Sequence, residues 1–396
     1  MKIEKLDNKG RGIAFVDNKI TFINNALPGE DVEIKITNEK KKFQEATISS
    51  YNKISNDRIN PLCSCYELCG GCNLMHLNYS KQLEYKKKKV MELLKKYGNI
   101  DFEIKNIISP INLYYRNKAT FQVKEKIGYF KEKSYELIPI EKCFIVDDKI
   151  NEILSKIKKF NLEHVYQIVI RKSKNTNDTM VIFKLNKDIN LNINLDVTSI
   201  ITYYNNTYKT IKGNDYITEK LGDLTFIISP DSFFQVNTIG AYNLYNEVLK
   251  YSNLQGNEKV LDLFCGTGTI GLFLSRYCSK VTGIEINKYA INDAIINKKI
   301  NNIRNIEFIC DDAANVNLKD IDLVIVDPPR SGLDEKMINY LLNLDTKKII
   351  YVSCDPVTLS RDLKTLKNKY DIKDIELVDM FPHTYHVECV CVLKLK

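Results

Sequence analysis

The 396-residue chain lacks any apolar stretch long enough to cross a membrane. Its apolar runs, such as Leu323 to Val326 and Ile349 to Val352, have the length of core strands, well short of the roughly 20 residues a spanning helix needs. The opening Met1-Lys2-Ile3-Glu4 has no apolar core of a secretory signal, so the protein is expected to be cytoplasmic. That location argues against a disulfide framework for its 11 cysteines. Internal repeats are also absent. Residues 251–396 lack a charge excess, with 19 Lys+Arg against 20 Asp+Glu, whereas residues 1–250 hold 39 against 30. The net charge of +8 thus sits in the part that would grip a polyanion. The competing account is a lysine-, asparagine- and isoleucine-rich composition with solvated lysines and no partner.

Residues 1–52 consist of short alternating runs separated by turn signals. Gly10-Arg11-Gly12, Asp17-Asn18 and Pro28-Gly29-Glu30 divide Ile13–Val16, Lys19–Ile23 and Val32–Ile36, a spacing that predicts a five-stranded barrel of the OB type. The run Gly-Ile-Ala-Phe-Val followed by Pro-Gly-Glu-Asp-Val resembles the TRAM domain, an RNA-binding barrel. Four cysteines then crowd into ten residues, Cys63, Cys65, Cys69 and Cys72, which reads as a metal or iron–sulfur site. Tyr79–Tyr97 is predicted to be a helix with Ser80 as N-cap and Gly98 as stop. Its Lys86–Lys89 run reads as a solvated face, with phosphate contact as the alternative. Strand-like segments dominate from about 110 to 228, including Ala119–Val123, Tyr166–Arg171 and Thr179–Leu185, with a short helix at Lys149–Lys159. From 256 onward strands alternate with helices: Lys259–Phe264, Lys280–Ile284, Ile306–Ile309, Leu323–Val326 and Ile349–Val352. This alternation predicts a doubly wound, mostly parallel sheet, closed by strands near Ile375–Phe381 and Val387–Leu395.

The segment Asp262-Leu263-Phe264-Cys265-Gly266-Thr267-Gly268-Thr269-Ile270-Gly271 follows a strand and opens a helix. Its glycines match G-x-G-x-x-G and let the backbone turn tightly against a ligand. Such a loop suits a dinucleotide as well as S-adenosylmethionine. Glu285, ending the next strand, is placed to bind ribose hydroxyls. Asp312 ends the third strand, where a carboxylate reaches an adenine amine; a plain helix N-cap is the alternative. Asp327-Pro328-Pro329-Arg330 ends the fourth, and its two prolines fix the chain where a flat base can stack. Ser353-Cys354-Asp355-Pro356 ends the fifth strand and precedes a helix. Cys354 therefore stands at the carboxyl edge of the sheet beside a helix N-terminus that favours a thiolate. Glu388, at the start of the last strand, is the candidate base. Cys265, Cys278, Cys310, Cys389 and Cys391 read as structural, and His383 and His386 as positioning or structural.

Taken together, these pieces closely resemble the RNA uracil-5-methyltransferase family, and within it the 23S ribosomal RNA branch that carries an N-terminal TRAM domain. The resemblance spans nearly the whole chain and includes Ser232-Phe233-Phe234-Gln235-Val236-Asn237. It implies a multidomain architecture: a TRAM barrel over 1–52, a central α+β iron–sulfur domain over 53–228, and a Rossmann-like S-adenosylmethionine-dependent methyltransferase domain over 229–396. Residues about 76–107 would pack with the catalytic domain. The resemblance implies cofactor contacts for Gln235, Phe264, Gly266, Gly268, Thr269, Glu285, Asp312 and Asp327. Cys354 would add to C6 of uracil, making C5 nucleophilic toward the sulfonium methyl, and Glu388 would remove the C5 proton. A [4Fe–4S] cluster would sit on Cys63, Cys69, Cys72 and Cys143. The extra thiol Cys65 also gives Cys65-x3-Cys69-x2-Cys72, the spacing of radical S-adenosylmethionine enzymes. Transfer RNA as substrate and methylation of an exocyclic amine through Asp327-Pro-Pro are further alternatives.

Overall fold

The computed structural model describes residues 1–316 and 318–396. Strands β1 (Lys5–Leu6), β2 (Gly12–Val16), β3 (Lys19–Ile23), β4 (Asp31–Glu39) and β5 (Phe43–Lys53) form a five-stranded sheet in the order β1-β2-β3-β5-β4. Asp17 and Asn18, with φ of 49° and 60°, make the two-residue turn that joins β2 to β3 with the strands' own twist. Ile3, Ala14, Ile23, Ala26, Val32 and Ala46 form this unit's core. Buried Glu30 is gripped by Arg58, Nε to Oε1 at 2.6 Å and Nη2 to Oε2 at 2.9 Å, which ties the barrel to the segment that follows.

The cysteine-rich segment contains one helical turn, α1 (Tyr66–Cys69), closed by Gly70 at φ 68°. Helix α2 (Tyr79–Leu93) starts at Asn78, whose side chain accepts from the Ser80 N–H. Asn78, not the expected Ser80, is therefore the cap, because an Asx side chain two residues earlier already takes the Ser80 donor. The helix loosens into a π turn over Leu94–Gly98 and ends at Asn99, φ 51°. Its buried face holds Gln82, Lys86, Lys89, Val90 and Leu93, so the lysine run is not a solvated surface. Strand β6 (Ile107–Ile108) follows. A seven-stranded sheet combines β7 (Lys118–Val123), β8 (Ile127–Phe130), β9 (Leu137–Pro139), β10 (Val165–Lys172), β11 (Thr179–Leu185), β12 (Ser199–Tyr204) and β13 (Thr207–Lys212). One face packs on α3 (Asp148–Ile157), capped by Asp147.

The hairpin β14 (Ile217–Leu221) and β15 (Leu224–Ile228) leads to α4 (Thr238–Ser252). Then come β16 (Lys259–Leu263), α5 (Thr269–Leu274), β17 (Lys280–Glu285), α6 (Lys288–Ile300), β18 (Ile306–Cys310), β19 (Leu323–Val326), α7 (Glu335–Asn343), β20 (Lys348–Ser353), α8 (Pro356–Leu366), β21 (Tyr370–Val378) and β22 (Glu388–Leu395). The sheet order is β18-β17-β16-β19-β20-β22-β21-β6, parallel from β18 to β20 with β22 antiparallel to β20. Strand order reverses between β16 and β19, which opens a crevice at their carboxyl ends where ligands bind in such sheets. One sheet face shares a core with α4, the hairpin and the inner side of the central sheet, through Val169, Met180, Ile182 and Ile201. The other packs on α7, α8 and the end of α2, and β6 pairs with β21. Residues 76–107 thus pack against the catalytic sheet. Among the described residues, no helix is long and apolar enough to cross a membrane.

Candidate active site

The loop after β16 is built for close backbone approach. Phe264, Gly266 and Gly268 all have left-handed φ, at 61°, 54° and 76°. A Cβ at Gly268 would stand 2.6 Å from the Phe308 ring, so this position requires glycine for both reasons. Gly266 N–H donates to Glu285 Oε2 at 3.2 Å, and Asn287 N–H to Glu285 Oε1 at 2.8 Å, which fixes the Glu285 carboxylate at the end of β17. Gly271 N–H donates to Asp262 Oδ2 at 2.9 Å, while Asp262 Oδ1 is buried without a partner. Burial, with Asp327 and Glu285 nearby, pushes Asp262 up to about 8. Thr269 opens α5, its hydroxyl 3.2 Å from the Tyr245 hydroxyl. Gln235 lies just before α4, its carbonyl held by Asn117 Nδ2 at 2.9 Å. Asp312 accepts from Ala314 N–H at 3.0 Å and pairs with Lys336 at 2.8 Å. Open glycine backbone together with an orphaned buried carboxylate oxygen is a donor and acceptor set that fits a cofactor carrying both polar and cationic groups.

Cys354 and Glu388 meet across the ends of β20 and β22. Ser353 is the register partner of Cys389, so the next position outward on each strand sets Cys354 opposite Glu388. Asp355 caps α8 through Val357 N–H at 2.8 Å and Pro356 occupies the first helical turn, which explains the Asp-Pro that follows the cysteine. Glu388 is buried; burial, then Asp327, push it up to about 8 while Arg330 opposes. Asp327 keeps part of its surface open on to the site, yet burial lifts it to about 7. Burial and Glu388 also raise the Cys354 thiol to about 11, against Arg330. The expected helix-terminus activation is therefore outweighed by burial first, and then by the carboxyl groups of Glu388, Asp327 and Asp355. His383 and His386 are each held down to about 4 by burial and carry no charge near neutrality.

Cys63, Cys69, Cys72 and Cys143 line one cavity of about 530 Å³ together with Tyr66, Met75, Arg116 and Lys118. Cys65 is not among its lining; its thiol donates to the Pro139 carbonyl at 3.5 Å. Against the expectation of a metal centre, no three or more His, Cys, Asp or Glu side chains among the described residues converge closely enough to hold a metal ion. Burial raises the Cys63 thiol and pushes Cys69 to about 11, and Cys63, Cys72 and Cys143 pack against Tyr66, Met75 and Ile145. All five thiols are unbridged.

A family model described as tRNA (Uracil-5-)-methyltransferase matches residues 78–396. The chain belongs to this family. A TRAM domain model matches residues 1–48, and the protein is an S-adenosylmethionine-dependent RNA (uracil-5-)-methyltransferase. It is 39% identical over 442 aligned positions to an uncharacterized RNA methyltransferase of Clostridium acetobutylicum, covering 99% of this chain and 96% of the relative. A second such relative, from Staphylococcus aureus, is 36% identical over 438 positions with the same two coverages. The crystal structure of Pyrococcus abyssi tRNA (uracil-54, C5)-methyltransferase in complex with S-adenosyl-L-homocysteine matches with a TM-score of 0.83 at 32% identity, covering 99% of each chain.

Three features of this methyltransferase's site escaped sequence reasoning. Asp262 reads in the sequence only as the start of the glycine loop; its orphaned oxygen is a property of the fold. Arg330, the cation that opposes the acids around Cys354 and Glu388, stood in the quoted Asp-Pro-Pro-Arg run without a role. The segment leading into Glu388 is held from afar. Lys86 Nζ donates to Asp379 Oδ1 at 2.6 Å and to the Phe381 carbonyl at 3.1 Å, Tyr115 to the Pro382 carbonyl at 3.1 Å, and Lys89 to the Tyr385 carbonyl. Asn73 and Leu74 N–H groups both donate to the His383 carbonyl at 2.9 Å, so the cysteine segment abuts the approach to the base.

Proposed function

We propose that this enzyme methylates C5 of a uridine in 23S ribosomal RNA in the cytoplasm, with Cys354 as nucleophile and Glu388 as base. The observation that carries the reading is the pairing of a thiol and a buried, basic carboxyl across two strand ends beside the glycine loop. Gln235, Phe264, Gly266, Gly268, Thr269, Glu285, Asp312 and Asp327 would hold S-adenosylmethionine, which supplies an electrophilic methyl group. Cys354, once ionised, adds to C6 of the uracil and leaves C5 electron-rich; the thiol proton departs to solvent. After C5 has taken the methyl group, Glu388 accepts the C5 proton and the thiolate leaves C6. Burial raises the basicity of Glu388, and the group accepts the proton once ionised, a form that the nearby Arg330 favours. The flat base must leave its stack to present C6 to sulfur, so the target lies in a loop or locally melted segment.

Cys63, Cys69, Cys72 and Cys143 would hold a [4Fe–4S] cluster, one thiolate per iron. Such a site holds its sulfurs further apart than a single ion would, and their common cavity, which leaves out Cys65, supports this set over the radical spacing. The separate cofactor loop and the Cys354–Glu388 pair support covalent methyl transfer over radical chemistry or amine methylation. Transfer RNA is the second reading of the substrate, favoured by the Pyrococcus structure. Nucleoside mass mapping of 23S and transfer RNA from cells with and without the gene decides between them. Glu388→Gln should trap a protein–RNA adduct that survives denaturation, and a gel without that band would remove Glu388 from its role. Anaerobically purified protein should carry about four irons per chain, lost in Cys63→Ser and kept in Cys65→Ser.

A further inference from the structure

The inner face of the seven-stranded sheet is covered at its centre, where Val169, Met180, Ile182 and Ile201 join the core shared with α4 and the hairpin, but its margin carries positive charge that the protein itself leaves uncompensated. The strand register sets Gln122, Gln167, Lys184, Tyr203 and Tyr208 in one row across β7, β10, β11, β12 and β13, and all five are half-exposed. On the same face Lys118 is the partner of Arg171. Lys184 Nζ lies 5.3 Å from the Tyr203 ring centre, and the Tyr203 and Tyr208 rings are 4.7 Å apart. Among the described residues, none of Arg116, Lys118, Arg171 and Lys184 has a carboxylate within 4.0 Å. The nearby acid, Asp231, is taken by the Tyr208 hydroxyl. Arg171 is 4% exposed and its Nε has no partner. Burial and the surrounding Arg171, Arg116 and Lys184 charges together press Lys118 down to about 8.

The placement links this face to the active site. Arg171 Nη2 donates to the Pro230 and Ser232 carbonyls at 3.0 and 2.8 Å, anchoring the loop that continues to Gln235. We propose that this face binds the backbone of single-stranded RNA, with Lys118 and Lys184 on phosphates and the Tyr203 ring available to a base, beside the loop that leads to the cofactor. The inference rests on the RNA methyltransferase assignment. Crowded cations in a half-buried setting repel one another, and a phosphate chain removes that cost. Aromatic rings beside a cation accept any base by stacking, which suits a contact outside the target uridine. An anionic cluster on the cysteines would account for Arg116, beside Cys72, and for Lys118, which lines the same cavity. It would not account for Lys184 or the tyrosines, which do not line that cavity.

The test uses the full-length protein and a fluorescein-labelled oligouridylate of about 12 nucleotides, titrated by anisotropy across a salt series. Lys118→Gln/Lys184→Gln should weaken binding about tenfold or more at about 100 mM salt and lower the log–log salt slope by about one per lysine. Tyr203→Ala should weaken binding with the slope unchanged. Iron content and S-adenosylmethionine affinity should match wild type in every variant, which also reports that each folds. Wild-type affinity and slope in the double variant would overturn the site, and so would loss of iron there, since the cations would then serve the cysteines. Absence of 5-methyluridine from the wild-type reaction would instead strike the proposed chemistry and leave this binding result standing.

Discussion

The strand ends that hold Cys354 and the interface beneath α2 both bury ionisable groups, and they treat them in opposite ways. At the strand ends Asp262, Asp327 and Glu388 have no lysine or arginine within 4.0 Å among the described residues, and burial raises all three. Beneath α2, Lys86 and Asp379 are both wholly buried and 2.6 Å apart, and the second Asp379 oxygen takes the Tyr79 hydroxyl at 2.7 Å. A buried charge left without a partner costs free energy that folding alone does not recover. The unpaired acids therefore mark where cofactor and base complete the structure. The satisfied pair marks where the fold completes itself and fixes the approach to Glu388.

The sharpest way to break this comparison is to remove the nucleophile. Cys354→Ala should lower turnover by about 10⁴-fold or more while changing stability by less than about 1 kcal/mol, since one half-buried thiol is lost. S-adenosylmethionine affinity, read by calorimetry, should stay at the wild-type value. Retained 5-methyluridine formation at wild-type rate would refute covalent catalysis. Loss of folding would instead place Cys354 with the structural groups.

Removing one half of the paired set should do the reverse. Lys86→Met leaves the Asp379 carboxylate buried and unpaired, and should cost about 3–5 kcal/mol of stability. Lys86→Met/Asp379→Leu removes both charges and should recover most of that loss. Urea titration of the two single variants and the double variant closes the cycle. A double variant no more stable than Lys86→Met alone would show that the pair is not an independent unit. The surviving hydrogen bonds to Phe381, Pro382, His383 and Tyr385 would then be the place to look.

The contrast also follows what local sequence can reveal. The glycine loop, Glu285, Asp-Pro-Pro and Cys-Asp-Pro are each a few adjacent residues with their own stereochemical reason, so the doubly wound sheet and its ligand-bearing edge were legible. Lys86 and Asp379 are 293 residues apart, and nothing near either reports the other. A run of four lysines on a helix reads as solvated by composition, yet only Lys88 of the four is exposed. The cap at Asn78 differed from Ser80 by two positions because both residues have the right chemistry. The charged face on the central sheet was illegible for a similar reason: Lys118, Arg171 and Lys184 sit on three strands whose pairing had to be known first.

A smaller effect tests the unpaired acids through proton linkage. Burial pushes Glu388 up to about 8 in the folded protein, against about 4.3 when unfolded. The folded state binds the proton more tightly, so stability is fully present below the unfolded value and is lost as pH rises through about 8. Glu388→Gln has no proton to lose. Its stability relative to wild type should match near pH 4.5 and exceed it by about 1 kcal/mol or more at pH 9, roughly 2–4 °C in melting temperature. Melting curves at both pH values without cofactor make the measurement. A gap that is constant across pH would mean that Glu388 is not the buried acid described here.

The smallest effect belongs to a third kind of charge, exposed and paired. Asp312 and Lys336 lie 2.8 Å apart with side chains 43% and 53% exposed, and Lys336 is the largest cause holding the Asp312 carboxyl below its usual range. Water screens such a pair, so it is worth about 0–1 kcal/mol. Lys336→Ala should therefore leave the melting temperature within about 2 °C. It frees one Asp312 oxygen while Ala314 N–H still orients the other, so S-adenosylmethionine affinity should change by less than about threefold. Asp312→Ala should weaken that affinity further than Lys336→Ala does, because it deletes the acceptor itself. Calorimetric titration of both variants decides the matter. If Lys336→Ala proves the more damaging of the two, the lysine rather than the carboxylate is the cofactor's contact. Asp312 then returns to the plain role of ordering the turn after β18.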